Sequence, residues 1–213
     1  MTNNLKKLIS FASLMALSLQ LHAINYYISP TGNDNNAGTR EDAPLASLTT
    51  AQKKVKAGDV VYILPGTYQV KENEMMDKTS SNVWDIIFDF ATSGTADSPI
   101  IYKGVQDAQG NRPVFDLSAI NTGKRLTGFY IRAKYLEFSN FEVIGINVPK
   151  SSSNTQSENI RINGGSYCRF YNIAAHDGMG IGFYLTGRSA HNIISHCDAY
   201  NNFDSVNISV NNG

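Results

Sequence analysis

Three hexapeptides decide the fold of this chain: FSNFEV at 138–143, FYNIAA at 170–175 and ISHCDA at 194–199. The second and third run in step: Phe170 corresponds to Ile194, Asn172 to His196, Ile173 to Cys197 and Ala175 to Ala199, all at one constant offset. Phe138, Asn140, Phe141 and Val143 precede their counterparts Phe170, Asn172, Ile173 and Ala175 at a longer offset that is again the same for all four. The polar run 149–158 takes up the longer step and reads as a loop inserted between strands. Phe129 and Ile131 likewise keep step with Ile160 and Ile162, and these with Phe183 and Leu185. A period in the low twenties, with aromatic or β-branched residues at fixed places and Gly or Asn at the turns, predicts a parallel β-helix, an all-β solenoid. A single coil cannot bury its own face, so like residues are expected to stack in columns such as Phe138/Phe170/Ile194 and Phe141/Ile173/Cys197.

Upstream, residues 60–64, 100–103 and 114–117 are short apolar strands that supply earlier coils, with loop excursions after Lys71 and at 106–111. Leu45, Leu48, Ala51 and Val55 recur at intervals of three and four. That spacing predicts an amphipathic helix over 45–55, with Lys53, Lys54 and Lys56 at its negative end and Gly58 beyond it. Residues 24–30 read as a strand entering the polar loop 31–40. A stack of coils has an open end, and a helix laid across it covers the backbone groups and apolar interior there. An ordinary α+β domain would also accommodate one helix before many strands; the repeat argues for the solenoid.

Lys6 and Lys7 precede an apolar run at 8–21 that closes on Ala23, the layout of a secretory signal peptide over 1–23. A membrane span is the poorer reading, since Ser10, Ser13, Ser18 and Gln20 interrupt a run already shorter than about 20 apolar residues. The protein is therefore expected to be secreted or periplasmic and to begin near Ile24. Residues 24–57 would form the strand, loop and capping helix, and 58–213 the coils of one β-helix domain. Removing the two leader lysines leaves 16 basic groups against 18 acidic ones. A near-neutral chain lacks the basic stripe that captures nucleic acid, so a partner must be read by local groups. A monomer without membrane attachment is expected. Cys168 and Cys197 could pair in an exported protein, but the register places them on different positions of successive coils, each in an inward apolar slot.

The Asn140/Asn172/His196 column falls at one corner of three coils, where stacked side-chain amides hydrogen-bond along the stack; His196 reads there as a structural histidine. His176 and Asp177 leave the core at a turn containing Gly178, Gly180 and Gly182, which leaves room for a sugar and places a group that titrates near neutrality beside it. Asp-Gly is also a plain turn signal. Tyr184 points outward if Phe183 and Leu185 point in, as a platform for a sugar ring or as an ordinary surface tyrosine. Arg188 could pair a uronate carboxylate or simply be solvated. Asp198 and Asp204 bracket the last legible turn, and a calcium site would need several converging carboxylates, which the sequence does not supply. No nucleophile elbow, phosphate-binding loop, HExxH or CxxC pair is present.

The stretch YYISPTGNDNNAGTREDAPLASLTTAQKKVKAGDVVYILPGTY resembles the N-terminal capping region of right-handed β-helix polysaccharide enzymes. HCDAYNNFDSVNISVNNG resembles a coil of the pectate lyase-like family 9 polysaccharide lyases. The first motif is shared by many β-helix proteins and the second is narrower. The resemblance implies β-elimination on pectate or rhamnogalacturonan: Ca²⁺ grips the uronate carboxylate and a lysine removes the C5 proton. It also places the family's calcium carboxylates and base beyond Gly213, so catalytic and metal residues are unknown in this chain, which lacks a finishing cap and reads as truncated. Asp204 matches only an aspartate preceding that motif. A non-catalytic carbohydrate-binding or adhesive β-helix is the competing function, and a glycoside hydrolase with two carboxylates about 5 to 10 Å apart is a third.

Overall fold

The computed structural model describes residues 23–78, 84–150 and 156–206. In chain order its elements are β1 (Asn25–Ile28), α1 (Leu48–Gln52), β2 (Val60–Ile63), β3 (Thr67–Gln69), β4 (Trp84–Phe90), β5 (Ile100–Gly104), β6 (Val114–Asp116) and β7 (Arg125–Ile131), followed by β8 (Leu136–Ile144), β9 (Glu158–Asn163), β10 (Arg169–His176), β11 (Ile181–Thr186), β12 (Ile193–Ser195) and β13 (Asp198–Tyr200). Every pairing between these strands is parallel.

The strands form three faces of a parallel β-helix. The first face stacks β1, β2, β5, the start of β8, the start of β10, and β12. The second stacks β3, β6, the ends of β8 and β10, and β13. The third stacks β4, β7, β9 and β11. The repeat offsets are the observed registers: Phe138 faces Phe170, which faces Ile194, and Phe129 faces Ile160, which faces Phe183.

β8 and β10 each bend once, at Asn140 (φ 61°) and Asn172 (φ 52°), which sit in the left-handed region that asparagine tolerates best among side-chain-bearing residues. Asn172 Nδ2 donates to Asn140 Oδ1 at 2.9 Å, so the amide ladder forms as expected for these two. His196 occupies the same corner (φ 54°) but is exposed; its Nδ1 meets Ser195 Oγ at 2.7 Å and its ring tilts against Tyr171. The structural histidine expected there has a hydrogen-bond partner and a ring contact but is open to solvent, because among the described residues only one side of that coil is covered. One coil earlier than Asn140 the corner is Gly104, where a Cβ would sit 1.7 Å from the Asn140 carbonyl oxygen.

The interior is aromatic. Tyr102, Phe138 and Phe170 stack nearly parallel with 5.1 Å between successive ring centroids. Phe88, Phe90, Phe115, Phe129 and Phe141 close around them in edge and stacked contacts. Cys168 is fully buried and Cys197 half-buried, both as free thiols.

The capping helix is present but shorter than its apolar spacing predicts. Leu45 is bridged to Ile28 as an extension of β structure, and Ser47 (φ −124°) starts α1 by accepting a hydrogen bond from the Thr50 N–H at 3.1 Å. Lys53 already caps the other end, so Lys54, Lys56 and Gly58 lie beyond the helix. Leu48 and Ala51 are buried, and Thr49 and Gln52 donate to the carbonyls of Glu74 and Asp89 across the first coil. β3 and β4 answer to no expected strand. The stretch around Asp85 and Asp89 hides β4 because Ile86, Ile87 and Phe88 are consecutive buried residues, which breaks alternation.

The expected leader lies outside the described residues except Ala23, as do 151–155 of the inserted loop and residues 207–213.

Candidate functional site

The third face gathers a cluster of charged and aromatic side chains from four coils. Register sets Trp84 beside Arg125, and Asp89, Tyr130, Arg161 and Tyr184 in one row. The Arg161 guanidinium lies 5.2 Å from the Trp84 ring centroid and 5.1 Å from that of Tyr184, and Arg125 lies 5.8 Å from Trp84. Cation–π attraction strengthens as such groups lose water, and Arg161 is only 9% exposed. Glu158, fully buried, holds the arrangement together: it pairs with Arg125 and with Arg161 (3.0 Å) and accepts from Thr127 Oγ1 at 3.0 Å. A buried carboxylate is tolerated because both cations and the hydroxyl compensate its lost hydration.

Towards the corner that leads to the first face the cluster opens to solvent. Arg132 pairs two-pronged with Asp89 at 2.9 Å on each arm while its side chain stays 52% exposed. Asn163 donates to the Tyr130 hydroxyl at 2.5 Å. The face therefore combines half-exposed rings, fixed by buried ion pairs, with an exposed arginine that is itself paired to Asp89. Such a surface can lay sugar rings on aromatic planes and pair carboxylates with guanidinium.

Of the residues picked from sequence, Tyr184 lies in this cluster. Arg188 is exposed in the turn that leaves β11, with φ 61°. His176 and Asp177 sit at the corner between the second and third faces. The exposure expected of His176 is corrected, since only 8% of it is accessible: Nε2 meets Glu142 Oε2 at 3.2 Å, Nδ1 meets Asp177 Oδ2 at 2.7 Å, and the Tyr200 ring stacks on it at 4.4 Å. The histidine beside it, then Asn201, hold the Asp177 carboxyl below the usual aspartate range. Glu142 in turn takes two hydrogen bonds from Arg112, whose Nη1 reaches the Asn172 corner, so His176 belongs to a staple that ties successive coils. Asp204 accepts from the Val206 N–H in the turn after β13. Sequence reasoning missed Trp84, Arg125, Glu158 and Arg161. The register that aligns Phe129, Ile160 and Phe183 also aligns Tyr130, Arg161 and Tyr184, the next position along each strand. Trp84 and Glu158 carry no such mark.

Among the described residues no group of three or more His, Cys, Asp or Glu side chains is placed to hold a metal ion. The donors among the described residues thus do not fit a calcium centre. No helix among the described residues is long and apolar enough to cross a membrane.

Fold and surface together define a parallel β-helix with a face of stacked aromatic and charged side chains. The chain belongs to the family described as Pel9A-like, right-handed β-helix region, which matches residues 26–213. It is 28% identical over 181 residues to pectate lyase L of Dickeya dadantii (strain 3937), covering 84% of this chain and 37% of that protein. A solved rhamnogalacturonan lyase superposes with a TM-score of 0.79 at 43% identity, over 86% of this chain and 43% of the other. The crystal structure of pectate lyase Pel9A gives 0.64 at 26% identity, over 84% and 40%. The chain thus spans about two fifths of the length of these relatives.

Proposed function

We propose that this chain is the N-terminal portion of a secreted polysaccharide lyase that cleaves uronic-acid polysaccharide, pectate or rhamnogalacturonan, by β-elimination, and that its third face holds the polymer. The observation that carries the reading is the Trp84–Arg161–Tyr184 sandwich anchored on buried Glu158, with Arg132 exposed beside it. Half-exposed aromatic rings held at coil spacing, with the Arg132–Asp89 pair open to solvent beside them, suit a polymer that repeats a sugar ring. Similarity to pectate and rhamnogalacturonan lyases supports the same substrate class. β-Elimination needs a base at the C5 proton and a cation on the carboxylate; this reading gives the chain the holding of substrate, and assigns base, calcium ligands and bond cleavage to segments beyond Gly213.

The test is to titrate the chain with oligogalacturonate and to follow unsaturated uronides on pectate in the presence of Ca²⁺. Binding without product is expected, with affinity about tenfold lower in Tyr184→Ala. Retention of no pectic oligomer would refute the binding face, and formation of unsaturated product would refute the placement of the chemistry.

A further inference from the structure

At the corner between the third and first faces, Tyr135, Tyr167 and His191 stack one per coil, with ring centroids 5.0 and 4.6 Å apart and planes within 11°. All three lie in the left-handed region, at φ 56°, 57° and 56°. Asparagine and glycine adopt that conformation readily; a bulky tyrosine does so only where the surroundings impose it, and such outliers cluster at functional sites. Two positions further along each coil, Glu137, Arg169 and Ile193 form a parallel row on the first face. The two rows, with Thr95, Ala96 and Pro99, line a cavity of about 210 Å³. Arg169 and Glu137 are 3.8 Å apart, beyond hydrogen-bond range, and the Arg169 side chain is 67% exposed. Its guanidinium is therefore only loosely engaged, unlike Arg112, Arg125 and Arg161.

We propose that this cavity is a second saccharide site, specific for uronate-containing oligosaccharides, which shares no lining residue with the third-face cluster. Ring stacking consumes the faces of Tyr135 and Tyr167, so they meet a ligand with their edges and hydroxyls. The Tyr135 and Tyr167 rings lie 5.0 Å apart, a length comparable to one pyranose unit. Arg169 supplies the paired donors that match a carboxylate, and Glu137 accepts from sugar hydroxyls. The choice of a uronate rests on the substrate class proposed above; the existence of the site rests on the cavity and the aromatic column. Such a site would keep the protein on polymer while the third face engages a different stretch.

The test uses the full chain with tyrosine rings labelled for NMR, titrated with trigalacturonate and, separately, with a neutral trisaccharide. Tyr135 and Tyr167 resonances should shift with trigalacturonate alone. Arg169→Ala should weaken that response about tenfold, and Tyr167→Phe, which keeps the stacked ring, should weaken it by a smaller factor. Tyr184→Ala should leave it intact while lowering binding at the third face. Equal shifts with the neutral sugar would overturn uronate selectivity. No shift at Tyr135 or Tyr167 would overturn the site, and if Tyr184 resonances still responded, the third-face reading would survive that loss.

Discussion

Asp34 shows how one side chain ties the polar N-terminal loop to the cap of the coil stack. Its carboxylate accepts from the Ala46 and Ser47 N–H groups at 2.9 and 3.0 Å and from Ser47 Oγ at 2.7 Å. Partial burial pushes its pKa up, but the hydrogen bonds from Ser47, Thr50 and Ala46 outweigh that and hold it below the ordinary aspartate value. A carboxyl depressed by folding contributes stability above its unfolded pKa, near 3.9, and loses it as pH falls through the folded value. Asp34→Asn should therefore cost about 0.5 kcal/mol near neutral pH, the low end for a lost capping interaction because the site is solvent-screened. The difference from wild type should shrink in strong acid, as pH falls below the unfolded value and through the depressed folded one. Urea denaturation at both pH values checks this, and a difference that persists at low pH would contradict the assignment to the ionised carboxylate.

At the scale of the element, position within the stack decides what a side chain is worth. Phe138 is 1% exposed and touches Tyr102, Phe90, Phe141 and Phe170, so Phe138→Ala should cost about 3–5 kcal/mol. Ile194 occupies the same column one coil beyond Phe170 but is 39% exposed, and Ile194→Ala should cost under about 1 kcal/mol. Equal losses for the two in chemical denaturation would mean that the column does not pack as described. The later coils were legible in sequence because each inward residue recurs at a fixed offset. The helix boundary was not, because Leu45 belongs to a β-bridge yet falls on helical spacing by coincidence of packing. β4 escaped because its neighbours in the stack, not its own alternation, bury its middle. The candidate site was least legible: Tyr184 could be placed from its flanking inward residues, whereas Glu158 is defined by its pairing with Arg125, a full coil upstream, and with nearby Arg161, a relation that only the stacked coils create.

For the whole molecule, stability is a sum over neighbouring coils. β8 and β10 have paired strands on both sides, whereas β11, β12 and β13 are each paired on one side among the described residues. Ile193 (53%), Leu185 (48%) and Phe203 (62%) are correspondingly exposed. Native-state hydrogen exchange should find the slowest amides in β8 and β10 and progressively faster exchange through β12 and β13; uniform protection would speak against an additive stack.

The unequal steps between the three hexapeptides have one further meaning. Extra length enters only at corners, and β8 and β10 stay in step across it. The scaffold behaves as a ruler with blank margins: its graduations, about 4.8 Å apart, are fixed by backbone pairing, while the margins accept new loops without moving a mark. A different specificity can thus be written into a corner while the pitch of the coils stays constant.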